Sequence, residues 1–410
     1  MKRFKDQQVY FAFIILILSG FLITGCSSGG GDNAGGGPPT VTSVSPTNTA
    51  AGVCINKKIT AIFSKAMQPL TITVLGTFTV YDDTAAASVP GLVTAYDEVT
   101  RTATFTPVVA LTDGNDYTAT ITIAAKDSGG QALAAPKVWS FNAGAATCAA
   151  PVDPGVLSPF GIGSYGGITN TGATKINGNT VLSPNDMCNS VAVGAADTFG
   201  LCNGSGGANP PTNNSGDLVI TDTHPDTTTA AAIMVVLLAK WNGITMAGMP
   251  GGILLGCGTI GSGGGGGAGI GCAGNYTLPP GIYISHTSST IDITGDLILD
   301  GQGDANAVFV FQVPSAALTA TPGSALAHPR ILLINGAKAS NVWWQVGSSA
   351  TLGSYTEFQG NILASASISM GTGATSCGRL LAGAEGSGAF TFLGNTVSVP
   401  GHPDAPTGCE

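Results

Sequence analysis

The sequence predicts an almost wholly β protein in two blocks, a β-sandwich followed by a β-solenoid, with one long helix in the second. Three observations carry this. Short runs of alternating apolar and polar residues recur between turn signals over about 40–144. A segment near the C-terminus repeats at an 18-residue offset. One Ala/Leu-rich stretch reads as a helix. Composition agrees, since 61 glycines and a charged fraction of 9% favour tight turns and uncharged strands over charged helices, while 43% hydrophobic residues can fill cores.

The N-terminus comes first in the chain and is its most specific signal. Lys2, Arg3 and Lys5 form a basic region, and Val9 to Ile23 is an apolar run too short for a comfortable spanning helix. It ends in Ile23-Thr24-Gly25-Cys26, which resembles the lipobox of bacterial lipoproteins, so residues 1–25 are expected to be a signal peptide and Cys26 the lipidation site. The expected contact with the membrane is through that lipid alone. Ser27 rather than Asp follows, which favours the outer membrane or cell surface. Residues 26–39 are Gly/Ser-rich and read as a flexible tether.

Strand signals begin next. Examples are 58–63, 77–81, 102–105, 117–121 and 138–141, whose period-2 alternation is that of a sandwich. Residues 145–155, with Pro151 and Pro154, read as a linker, and 156–410 as the second domain. There Thr351 to Ala364 matches Ser369 to Ala382, an offset of about one solenoid coil. A helix is expected from Asp226, as N-cap, through Lys240 and Trp241, ending before Gly248 and burying Ile233, Val236 and Leu237. Trp343 and Trp344 are adjacent on a strand, so one is expected inward in the core and one outward.

Eight cysteines besides Cys26 suggest disulfides in an exported chain. Proximity in sequence suggests Cys188–Cys202, Cys257–Cys272, Cys377–Cys409 and Cys54–Cys148. Zinc is the competing reading, but no CxxC pair or neighbouring His supports it, so no metal is expected. The net charge of −9, or −11 without the leader, disfavours nucleic acid, because nothing basic is available to neutralise phosphates. His224, His286, His328 and His402 are scattered without a paired acid or nucleophile, so no catalytic residues and no enzyme activity are expected. Gly263 to Gly267 lacks the Gly-Lys-Ser/Thr of a phosphate loop and reads as a disulfide-closed surface loop. Asp300 and Asp304, in the turn after Leu297-Ile298-Leu299, offer too few oxygens for a calcium site. No cofactor is expected.

Two resemblances sharpen the picture. Val44-Ser45-Pro46, Phe63-Ser64-Lys65-Ala66-Met67, Leu111-Thr112 and Tyr117-Thr118 resemble the bacterial Ig-like domains of surface proteins, which implies a spacer over 40–144. The second covers about 240 residues. Gly167 to Thr174, Ile176 to Asn179, Leu278 to Tyr283, Leu297 to Gln312, Asn341 to Gly347 and Gly360 to Ala364 resemble the microbial ice-binding protein family. That resemblance implies an irregular right-handed β-solenoid flanked by a long helix, and ice as the partner.

The resemblance also implies ice-facing residues in the pattern Thr-Gly/Ala-x-Thr/Asn. Thr171 with Thr174, and Thr372 with Thr375, fit it; Thr321 with Ser324 fits in part. The coil carrying Thr351, Ser354 and Thr356 departs by placing Glu357 where a small hydroxyl belongs. Physics supports Thr in such a role. Strand spacing of about 4.8 Å and an i,i+2 spacing of about 6.7 Å make a regular lattice of side chains, and β-branching keeps each hydroxyl stiffly placed. The expected function is a cell-surface ice-binding protein, monomeric, that restrains ice growth or recrystallisation. The alternative is an adhesin or scaffold that uses the solenoid to bind glycan or protein, motivated by Tyr355 and Glu357.

Overall fold

The computed structural model describes residues 37–185, 187–188, 191–192, 212–213, 217–221, 227–265 and 269–410. Cys26, Cys202, His224 and Asp226 lie outside the described residues, as does part of the glycine run at 263–267.

The first block is a sandwich of two sheets. One holds Val41–Ser45, Ile59–Phe63, Thr102–Pro107 and Gly91–Asp97 in antiparallel order. The other runs Ala50–Val53, Lys137–Ala143, Asp116–Ile121, Phe78–Asp82 and Ala87–Ser88. Alternation turns Ile59, Ala61 and Phe63 inward from one sheet, and Tyr117, Ala119, Ile121, Trp139 and Phe141 from the other. Phe78 sits between them, 5.7 Å by ring centroid from both Phe105 and Trp139.

The second block is a solenoid in which successive coils lay one strand into each of three sheets, of nine, nine and eight strands. Among the described residues all but one of these pairings are parallel, the exception being Met187–Cys188 with Val191–Ala192. The 18-residue repeat corresponds to adjacent coils, with Thr351 opposite Ser369 and Ile362 opposite Leu380. Coil order does not follow chain order. The first coil (Phe160–Ser164, Ile168–Thr171, Lys175–Asn177) pairs with the last (Leu380–Ala382, Phe390–Leu393, Thr396–Ser398). The helix Thr227–Gly243 then carries the chain toward the far end, from which the remaining coils return. Seventeen residues span about 26 Å, against about 38 Å across nine strands, so the helix covers roughly two thirds of the sheet beneath it.

The solenoid interior is a column of large side chains, Tyr283, Phe311, Trp344 and Phe358, each fully buried. The Phe311 and Trp344 rings stack 3.8 Å apart at 8°. Trp343 points the opposite way from Trp344, yet it too is buried, because the helix covers it together with Leu363 and Leu381. Ile233 and Leu237 of the helix are buried and Val236 is half-buried. Trp241 Nε1 donates to Val346 O at 3.2 Å and pins the helix end.

Cys54 pairs with Cys148, Cys257 with Cys272 and Cys377 with Cys409, at Cα separations of 5.2, 5.8 and 5.4 Å. Cys188 is also disulfide-bonded. Pro38–Glu410 is one compact unit, and the sandwich meets the solenoid through specific contacts. Lys57 Nζ lies 2.6 Å from Asp304 Oδ2, Gln302 Nε2 donates to Ala51 O at 2.8 Å, and Thr47 N donates to Gln302 O at 3.1 Å. Asp304, in the turn whose oxygens are too few for calcium, is paired with a lysine from the other block. Among the described residues no helix is long and apolar enough to cross a membrane.

Candidate functional site

The three solenoid faces differ in what they present. The first lies under the helix and is largely apolar, with Gln312 donating to Ile244 O and Met249 O in the segment after the helix. The third carries charge along one register line, in the order Asp296, Arg330, Glu357, Thr375, Thr396 and Lys175. Arg330 grips Asp296 with two bonds of 2.9 and 2.6 Å, which push its guanidinium above the usual arginine range. His328 Nε2 lies 3.2 Å from Glu357 Oε1. Such a surface holds water around separate ions rather than in one layer.

The second face is different. Its outward positions pair in the order Thr259, Asp292, Thr319, Thr351, Ser369, Thr391 and Thr169. Six of these seven rungs carry a hydroxyl. Each is on a strand whose neighbours alternate inward, as in Leu318-Thr319-Ala320 and Ala350-Thr351-Leu352, so the buried flanking residues fix the direction of the hydroxyl. The column two residues on contains Thr294, Thr321, Gly353, Gly371, Leu393 and Thr171; the column two residues before contains Thr290, Ala317, Ser349, Ser367, Ala389 and Gly167. Apart from Leu393 and Asp292, nothing in the three columns is larger than Thr. The result is a flat face of small side chains on a parallel-sheet lattice of about 4.8 by 6.7 Å. Thr169, Thr351 and Thr391 are exposed; Thr259, Thr319 and Ser369 are half-buried.

The sequence motif falls elsewhere than its spacing suggests. Thr171 and Thr321 lie at the edge of the hydroxyl face, where the strands Ile168–Thr171 and Leu318–Ala320 end. The next residue turns the corner toward the charged face. Gly172 and Gly373 have φ of 84° and 69° there, so the motif glycine is a backbone requirement of the corner. Thr174 is 1% exposed and donates to Asn170 Oδ1 at 2.6 Å, and Thr356 is 1% exposed. Neither can present its hydroxyl to solvent. Thr375 is exposed but sits on the charged face, and Thr372, Ser354 and Ser324 lie on corner loops. Tyr355 is at a corner too, packed over Gly373, and Glu357 is on the charged face; the two flank the hydroxyl face without belonging to it. Of the nine threonines and serines singled out in the sequence, Thr351 is on the central column, with Thr171 and Thr321 beside it.

Sequence reasoning missed Thr169, Thr259, Thr319, Ser369 and Thr391. The signal that could have found part of the set is a hydroxyl between two buried apolar residues. It marks Thr319, Ser369 and Thr391, whereas Thr169 is followed by Asn170 and Thr259 is preceded by the half-buried Gly258. It is hidden because successive rungs are 27, 32, 18 and 22 residues apart from Asp292 to Thr391, corner loops of different length breaking the period.

Among the described residues no group of three His, Cys, Asp or Glu converges on a metal-holding position. His402 Nε2 lies 3.1 Å from Asp217 Oδ1, where it ties the C-terminal segment to the residues before the helix.

Residues 162–398 match the family model described as Ice-binding-like, and residues 36–143 match that of the bacterial Ig-like domain. An "Ice-binding protein" of Nostoc sp. (strain HG1) is 48% identical over 126 residues, 30% of this chain and 42% of the relative. An "Ice-binding protein" of Flavobacterium frigoris (strain PS1) is 38% identical over 132 residues, 32% of this chain and 43% of the relative. The aligned part thus spans less than half the length of these relatives. The crystal structure of an ice-binding protein from the Antarctic ascomycete Antarctomyces psychrotrophicus aligns over 61% of this chain and 98% of its own, at 31% identity and a TM-score of 0.42.

Proposed function

Because the chain belongs to the Ice-binding-like family, we propose that it adsorbs to ice through the second solenoid face and restrains the growth or recrystallisation of the crystal. The observation that carries this reading is the hydroxyl ladder, six of seven rungs from Thr259 to Thr169. A hydroxyl donates and accepts, so each rung anchors one water. Apart from Asp292, the Thr methyls and the flanking Gly and Ala leave no charged group on the central column to pull water out of that layer. Waters anchored on a regular, rigid array lie close to the positions they take in ice, so little ordering remains to be done when the crystal meets the face. No single contact is strong. Many of them on one rigid body act together, and no bond is made or broken, so the activity is binding without catalysis.

The rigidity has a visible source. The column Tyr283, Phe311, Trp344 and Phe358 fills the interior behind the face, and the helix braces the opposite sheet. Cys26 would attach the chain to the envelope by lipid, with residues 26–39 as tether and the Ig-like domain as spacer. On that reading the protein holds a cell against ice, or shields it, from the outer surface. Purified mature protein should show thermal hysteresis and inhibit recrystallisation in a concentration-dependent manner. Absence of both at high micromolar concentration would refute the reading. Metabolic labelling with an alkynyl fatty acid should mark the wild type and leave Cys26→Ser unmarked.

A further inference from the structure

We infer that Asp292 sets the length of the ice-binding face by closing it on one side, an inference that rests on the adsorption reading above. Asp292 occupies the second rung of the ladder, between Thr259 and Thr319. It is the one charged residue among the seven rungs. Its Oδ1 accepts a hydrogen bond from Thr319 Oγ1 at 2.7 Å and lies 3.4 Å from Thr321 Oγ1.

Two physical consequences follow from that geometry. An ionised carboxylate only accepts, and it binds its waters tightly in an arrangement of its own, so an ordered layer that reaches Asp292 meets water it cannot incorporate. A hydroxyl also has a single proton. Thr319 directs its proton at the carboxylate and is left with lone pairs for the water above it, which makes it a poorer rung than Thr351, Ser369, Thr391 or Thr169. The uninterrupted part of the ladder therefore begins at Thr319 and holds five rungs, while Thr259 is cut off beyond the acid.

The test replaces Asp292 with the residue its neighbours carry. Asp292→Thr joins Thr259 to the rest and makes seven uninterrupted rungs. Thermal hysteresis at equal concentration should rise by about 1.4-fold, as seven rungs stand to five. Asp292→Asn keeps an acceptor for Thr319 and removes the charge, so it should also exceed wild type, by less. Far-UV circular dichroism shows whether each variant is folded, and if Asp292→Thr is not, Asp292→Asn decides alone. An active wild type that no folded variant exceeds overturns the inference and leaves adsorption standing. Wild type and variants all inert overturn the adsorption reading, and the inference with it.

Discussion

Replacing Trp344 by Ala should cost the solenoid about 4 kcal/mol of stability. The ring is fully buried, stacks on Phe311 at 3.8 Å and meets Phe358 at 5.3 Å, and its Nε1 donates to Gln359 O at 3.3 Å. Truncating a buried Trp costs about 3–5 kcal/mol through lost transfer energy and the cavity left behind, with stacked aromatic pairs contributing about 0.5–1.5 kcal/mol of that. The upper part of the range applies only where neighbours cannot collapse into the space. Here Phe311 and Phe358 sit on strands held by parallel pairing on both sides, so collapse is restricted. Equilibrium unfolding in guanidinium chloride, followed by far-UV circular dichroism, reads the loss as a lower midpoint at unchanged slope. Trp344→Phe should retain most of the stability. A loss under about 1.5 kcal/mol for Trp344→Ala would show that the interior column does not rigidify the face as argued.

Two further predictions concern the buried charges. Arg379 is 4% exposed and donates to Ser158 O, Leu157 O and Asn361 Oδ1, all neutral oxygens, and burial pushes its pKa down to about 10. Arg379→Met orphans those acceptors and should cost about 3 kcal/mol near neutral pH. Between about pH 10 and the ordinary arginine range the unfolded chain binds more protons than the folded one. Over that window wild-type stability should therefore rise relative to Arg379→Met, and a difference that is flat above pH 10 would contradict the shift. Asp304→Ala leaves Lys57, 5% exposed, without its carboxylate. Because the Asp304 side chain is 31% exposed, the loss should be about 1–2 kcal/mol rather than the larger value of a fully buried pair. Calorimetry should show a lower melting temperature, rescued in part by adding Lys57→Met.

Much of the architecture was legible from sequence because it depends on periodicity. Period-2 runs marked the sandwich strands, and the match of Thr351 to Ala364 with Ser369 to Ala382 marked two coils in their observed register. The helix was visible in its composition. The site was only partly legible, for a physical reason. Thr-Gly-Ala-Thr is conspicuous because the corner needs a residue with positive φ, supplied by Gly172 and Gly373. The motif therefore advertises the turn, while its second Thr falls inside the corner (Thr174) or on the charged sheet (Thr375). The face itself is set by register between coils of unequal length, which brings Thr319, Thr351, Ser369 and Thr391 into line. Nothing local to any one of these residues announces that alignment. The Trp343–Trp344 pair makes the same point: alternation predicts one ring outward, and the outward one, Trp343, is buried by a helix about a hundred residues earlier in the chain.

The most direct test of the central claim is thermal hysteresis of wild type against two variants that differ in which face they disturb. Thr351→Tyr with Ser369→Tyr puts two large rings on adjacent rungs at the middle of the ladder. Thr375→Tyr puts one on the charged face. All three proteins should show the same circular dichroism and melting temperature. The account predicts that hysteresis falls to near zero in the double variant and stays at the wild-type value in Thr375→Tyr. Full activity in the double variant, or loss in Thr375→Tyr alone, would contradict it.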